Sequence, residues 1–237
     1  MAPMTLRKSK TPVTGAAFVK KLAALTKLSK NKPAHFALAV SGGADSLSLL
    51  VLAAEAKKKY KHWNFSILTV NHGLRPAALK ETRYVSKLAN ASDLVCKILT
   101  HKGAIPEKNI QSTARDIRYG LMFDWCHKNK VDYLVTAHHL EDQAETFLLR
   151  LARGSGLDGL SGMQRVRNSN GVALLRPFLD IPRERLHQTI AKAGLEAISD
   201  PSNYNQRFAR VRIRNKMDLF AQEGMTATRL AETAGRL

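Results

Sequence analysis

Acidic residues are scarce in this chain. Its 237 residues carry 19 Asp and Glu against 38 Lys and Arg, a formal net charge of +19, and the pI is near 10.2. That excess is larger than solubility requires and fits a polyanionic partner, nucleic acid ahead of an acidic membrane surface. Cysteine is almost missing: Cys96 and Cys126 stand alone and form no CxxC pair. A disulfide framework and a cysteine-built metal cluster are thereby excluded, and a reducing cytoplasm is the expected compartment. No apolar run approaches the ~20 residues of a membrane span, and no segment reads as a signal peptide. With 44% hydrophobic residues the chain can still bury one sizeable core.

The first fourteen residues are basic and rich in Thr, Ser and Pro, a composition that does not fold alone. Phe18, Val19, Leu22, Leu25 and Leu28 then recur at helical spacing. This acid-free stretch has the look of a mitochondrial targeting helix, but it runs straight into a strand and is read as a lead-in helix of the domain. From Phe36 strands and helices alternate. Strands are expected at 36–40, 65–70, 94–99 and 133–137, with helices at 77–91, 109–128 and 141–152. A hairpin turning at 168–171 and a helix over 182–193, opened by Pro182, follow. The fold class is therefore α/β: a doubly wound, mainly parallel sheet with helices on both faces and a small C-terminal helical extension. Three segments are expected: a basic lead-in with its helix (1–34), a catalytic domain (35–222), and a linker or further domain starting at 223 as a helix with nothing to pack on.

The chemistry is concentrated where the first strand ends, in Ser41-Gly42-Gly43-Ala44-Asp45-Ser46. Two glycines allow a sharp turn, and the next helix aims its unpaired N–H groups at whatever fills it. Such a turn suits phosphate. It is neither a Walker loop, which needs GxxxxGK[ST], nor a dinucleotide fingerprint, which needs a third glycine. Asp45 would repel a bare phosphate, but Mg²⁺ can bridge it to a triphosphate. The plainer reading makes Asp45 a helix cap.

A second cluster, His138-His139-Leu140-Glu141-Asp142-Gln143-Ala144-Glu145-Thr146, sits where the fourth strand becomes a helix. Asp142 and Glu145 are i,i+3 neighbours and Glu141 and Glu145 are i,i+4 neighbours. These acids complement the helix dipole, and with two histidines beside them they also suit a cation or proton transfer. HExxH is absent, so Mg²⁺ or an ammonium group fits better than zinc. Arg115 and Arg118 share a helix face and can hold phosphate or carboxylate. Arg207, Arg210, Arg212, Arg214 and Lys216, interleaved with apolar residues, form either a solvated basic face or phosphate contacts.

Six segments occur in order: SGGADS, Asn71-His72-Gly73-Leu74-Arg75, Ala114-Arg115-Asp116-Ile117-Arg118-Tyr119, HHLEDQAET, the glycine-rich 153–163 and Asp200-Pro201-Ser202-Asn203. From about Phe36 to Asn215 the chain resembles the tRNA(Ile)-lysidine synthetases of the PP-loop ATP pyrophosphatase superfamily. The resemblance implies an adenine-nucleotide-hydrolase-like fold, ATP with Mg²⁺, free L-lysine, and a tRNA(Ile) with a CAU anticodon. ATP would adenylate C2 of the wobble cytidine, and lysine would displace AMP to give lysidine. Ser41, Gly42, Gly43, Ala44, Asp45, Ser46 and His72 would bind ATP, with Asp45 on the metal. Asp142, Glu145 and Arg115 would bind lysine and, with Asp45, form the catalytic set. Arg75, Arg207, Arg210, Arg212 and Arg214 would contact tRNA. Glu141 departs from the family pattern, where Asp is commoner, and the 153–163 segment would serve as a lid or pocket wall. The alternatives are a tRNA-thiolating relative, for which the cysteines are too few, and a non-catalytic basic RNA-binding protein, for which the paired acids are a poor choice. An amidating relative would need an ammonia source that this length does not hold.

Overall fold

The computed structural model describes residues 11–29, 31–71, 76–101, 103, 110–169, 171–199 and 204–237. The apolar run ahead of the glycines forms β1 (Ala34–Ala39), and α2 (Ala44–Lys59) leaves the turn that follows. With β2 (Trp63–Asn71), β3 (Val95–Thr100), β4 (Tyr133–Val135), β5 (Val166–Ser169) and β6 (Val172–Leu175) it makes a six-stranded sheet in the order β3-β2-β1-β4-β6-β5. Every pairing is parallel except the β5–β6 hairpin, which turns where the sequence places it.

Alternation along the strands decides what each face carries. Phe36 and Leu38 of β1 join one apolar cluster, while Ala37 between them joins another. The register sets Phe36 beside Phe65 and Tyr133, with ring centroids 5.7 and 5.1 Å away. On the first face α1 (Gly15–Thr26) buries Phe18, Val19 and Leu22 completely, so the lead-in helix is part of the core. Helices α2, α3 (Pro76–Ala91) and α7 (Arg183–Lys192) complete that layer through Leu47, Val85 and Leu186. Helix α4 (Ile110–Lys128) covers the opposite face with Met122 and Cys126.

Beyond the sheet lie α5 (Leu140–Leu151), α6 (Leu157–Leu160), α8 (Ala209–Asn215), α9 (Met217–Gln222) and α10 (Ala227–Arg236). One expectation is corrected here. The C-terminal helix is not without a partner, because Leu230 and Ala234 of α10 are buried against Ala144, Phe147 and Leu148 of α5. The third strand is a sheet edge: Val95 is 68% exposed, and only Leu99 along it is buried. Among the described residues no helix is long and apolar enough to cross a membrane.

Candidate active site

The ends of β1 and β4 open into one cleft of about 450 Å³. One side of it is the glycine turn. Gly42 has φ +94°, and a Cβ there would lie 2.6 Å from Ile198 Cδ1, so the 195–199 segment packs directly over it. Ile198 N also donates to Gly42 O at 3.0 Å. Ser46 Oγ accepts from Ser41 N at 3.1 Å and donates to Gly43 O at 2.9 Å, which fixes the turn without help from a ligand. Gly43 caps α2 with no side-chain hydrogen bond, so the first-turn N–H groups are left for a guest.

Asp45, one residue into α2, meets charges from two other helices. Its Oδ1 accepts from Arg183 Nε and faces His187 Nε2, both at 3.2 Å, and its Oδ2 lies 3.6 Å from His139 Nε2. Sequence reasoning missed Arg183 and His187. Their i,i+4 spacing on a helix expected from Pro182 is the signal that was there to be used.

His139 and His138 are adjacent in sequence but differ in charge. Burial opposes a proton on His139, which is 2% exposed, yet Asp142, Asp45 and Glu141 surround it and its pKa is pushed up to about 10. Its Nδ1 lies 3.1 Å from Glu141 Oε2 and its Nε2 lies 3.4 Å from Asp142 Oδ2. A carboxylate can only accept, so Nδ1 carries hydrogen, and the Asp142 N approach at 3.4 Å is a contact rather than a cap. The real cap is reciprocal to it: Asp142 Oδ2 accepts from His139 N at 3.0 Å. For Asp45, Glu141 and Asp142 burial disfavours ionisation, but the His139 charge outweighs it and all three are held below the usual carboxylate range. His138 goes the other way. Burial, reinforced by Arg176, Arg115 and Arg210, outweighs the pull of Asp142 and takes its pKa down to about 3. It is a neutral ring in the cleft wall, 2.9 Å from Thr136 Oγ1.

Glu145 is 1% exposed. Arg214 Nε donates to its Oε1 at 2.6 Å and Arg210 Nε to its Oε2 at 2.7 Å, while Arg210 Nη2 reaches Asp142 Oδ1 at 3.1 Å. The basic stripe therefore splits. Arg210 and Arg214 are turned inward onto the acids, whereas Arg207, Arg212 and Lys216 stay exposed. Asp142 lines the cleft together with Arg118 and Tyr119, and Arg115 lies in a neighbouring pocket. The glycine-rich segment is tethered to α5, and none of its residues lines the cleft. Arg150 Nη1 donates to Gly159 O and Gly162 O, and the Gln143 amide pairs with both backbone groups of Met163. His72 and Arg75, like Asp200-Pro201-Ser202-Asn203, lie outside the described residues.

Comparison with known proteins fits this geometry. The PP-loop domain model matches residues 16–219. The tRNA(Ile)-lysidine synthase of Methylobacterium nodulans is 46% identical over 200 residues, covering 84% of this chain and 58% of that protein. The protein of the same name from Rhodopseudomonas palustris is 45% identical over the same length with the same coverage. That of Anaplasma marginale is 39% identical over 216 residues, 91% of this chain and 46% of that protein. The chain thus spans about half the length of these relatives. Among solved structures, a U34-tRNA thiolase from Methanococcus maripaludis with its 4Fe-4S cluster aligns with a TM-score of 0.77 at 20% identity. It covers 92% of this chain and 76% of that one, a likeness of fold alone. With both the glycine turn and the histidine–carboxylate node inside the matched span, the chain belongs to the PP-loop family of ATP-binding domains.

Proposed function

We propose that this chain carries the catalytic core of a tRNA(Ile)-lysidine synthase, which joins lysine to C2 of the wobble cytidine of a CAU-anticodon tRNA at the expense of ATP. One observation carries the reading: a single cleft holds an uncapped helix turn suited to phosphate and, across from it, the ionised Asp142 suited to an ammonium group. An ATP tail on Ser41, Gly42, Gly43, Ala44 and Ser46 would present its α-phosphorus to the cytosine O2. The O2–P bond forms as pyrophosphate leaves, and the lysine amine, once it has given a proton to a neighbouring carboxylate, attacks C2 as AMP departs.

Asp142 replaces the water lost by the lysine ammonium with a charge-assisted hydrogen bond. Neutral His138 beside it adds no competing positive charge. Glu145, already paired with two arginines, backs Asp142 through Arg210. Arg118, on the cleft wall, would face the carboxylate end of the substrate, with Arg115 behind it against the Tyr119 ring. The exposed Arg207 and Arg212, with the +19 charge, fit phosphates of the anticodon arm. Among the described residues no group of three or more His, Cys, Asp or Glu could hold a metal alone. Asp45, kept ionised, would supply one ligand to a Mg²⁺, whose charge would offset that of the departing pyrophosphate.

Incubation with ATP, the CAU tRNA and isotope-labelled lysine, followed by mass spectrometry of the RNA, tests this directly. The label is expected on the wobble cytidine, and Asp142→Asn should abolish it. Pyrophosphate release with no lysine on the RNA would leave the ligase reading without support.

A further inference from the structure

Tyr119 stands between two cavities. One is the cleft above. The other, about 280 Å³, lies between α4 and the β5–β6 hairpin, with Arg115, Phe123, Arg167, Leu174 and Arg176 among its walls. Only Arg115 among these enters the reading given so far. Three guanidiniums face a single carboxylate, Asp116, so the pocket is strongly positive. Arg115 and Arg118 place their guanidinium carbons 5.1 and 5.6 Å from the Tyr119 ring centroid, which fixes the ring in the partition.

The deepest cation is unusual. Arg176 is 5% exposed, and its Nη1 donates to Gln164 O at 2.7 Å, but its buried Nε has no hydrogen-bond partner. The buried Tyr119 Oη has none either. The phenol answers the Arg176 charge from close by, through at most a loose hydrogen bond. Buried polar atoms in folded proteins are nearly always well satisfied, so two weakly answered groups on residues lining one positive cavity suit a guest with acceptor atoms. Excess positive charge selects an oxyanion over a zwitterion, and Phe123 and Leu174 offer apolar contact beside it.

We propose that this second pocket is a phosphate subsite for the RNA, where a backbone phosphate is held by Arg176 and Tyr119 at the base and Arg167 at the mouth, next to the reaction cleft. It rests on the proposed function, because the phosphate is taken to belong to the substrate RNA. Arg167 is exposed on β5 and the Tyr119 hydroxyl has at most a loose partner to lose, so Arg167→Ala and Tyr119→Phe should both melt close to wild type. Fluorescence anisotropy with a labelled CAU anticodon stem-loop is the test. Each variant is expected to bind about tenfold more weakly, and Arg167→Ala should also lower the slope of log affinity on log salt by about one. Wild-type binding with unchanged affinity in both variants overturns this inference and leaves the proposed function standing. A wild-type protein that binds no stem-loop brings down both. Loss of inorganic pyrophosphate binding in the variants, with RNA affinity intact, would assign the pocket to free phosphate and overturn the RNA assignment.

Discussion

Arg214 donates from Nε to Glu145 Oε1 at 2.6 Å while Arg210 takes the other carboxylate oxygen, and between them they seal an acid that is 1% exposed. This joins α8 to α5 in the layer where α10 also docks. Glu145→Gln keeps the volume but removes the charge that both guanidiniums answer. Each arginine side chain is one-third exposed and can turn toward water, so the loss is smaller than for a fully buried pair, about 1–3 kcal/mol. Thermal unfolding should show a drop of several degrees, with amide exchange in α8 rising first. An unchanged melting temperature would mean that the pairing contributes no stability.

His139 holds together the start of α2 and the start of α5, through Asp45 on one side and Glu141 and Asp142 on the other. His139→Leu should cost on the order of 3–5 kcal/mol at neutral pH, because it leaves buried carboxylates without their cation. The pH dependence has a definite sign. The folded pKa of about 10 lies above the ordinary 6.5, so the native state binds the extra proton. Its stabilisation is complete below about pH 6.5 and is lost as pH rises toward 10. The three carboxylates are shifted down, so their share fades only as the solution becomes more acidic than their ordinary range. Denaturant melts of wild type and variant from pH 5 to 10 should therefore converge at the alkaline end. A gap that widened with pH would refute the imidazolium assignment.

The sheet, its parallel order and the glycine turn were legible because periodicity and turn chemistry are local, and β1, β2 and α4 each run where their apolar residues point. The charge states of His138 and His139 were not. Both are histidines at the same strand–helix junction, and only the tertiary neighbours of each, carboxylates in one case and arginines with burial in the other, separate a ring at about 3 from one at about 10. Residue spacing showed Arg210 and Arg214 as part of a basic stripe but not that they turn back onto Glu145, since that pairing spans 65 or more positions. The partner of α10 was hidden for the same reason.

The cysteines separate ligation from sulfur transfer. Cys126 is fully buried and its thiol is pushed up to about 12 by desolvation, so it holds almost no thiolate. Cys96 is half-buried with a raised pKa and packs against the cluster on the opposite face of the sheet. The two cannot relay sulfur across the strands, and they are too few for an iron–sulfur centre. The double variant Cys96→Ala/Cys126→Ala should keep lysine transfer within about twofold while losing roughly 1–2 kcal/mol of stability from the small void at Cys126. Abolished turnover in a folded double variant would point to thiol chemistry instead.

Gly42 and Gly43 should respond differently to the same added methyl group. Gly42 sits at φ +94°, a conformation that strains any L side chain, and its Cβ would meet Ile198. Gly42→Ala should therefore destabilise the protein with no ligand present, by about 1–3 kcal/mol. Gly43 sits at φ −70°, and the nearest atom to a Cβ there is Ser41 Oγ at 3.9 Å. The fold does not need glycine at that position. On the proposed reading the cleft does, because Gly43 lines it and an added methyl group would crowd a phosphate at the α2 N-terminus. Gly43→Ala should melt within about 1 kcal/mol of wild type, since a weaker N-cap is offset by a less flexible unfolded chain. It should lose the stabilisation that ATP confers on wild type, about 2.7 kcal/mol at a hundred times Kd. Paired melts with and without ATP would decide: a full ATP shift in Gly43→Ala would place the triphosphate somewhere other than this turn.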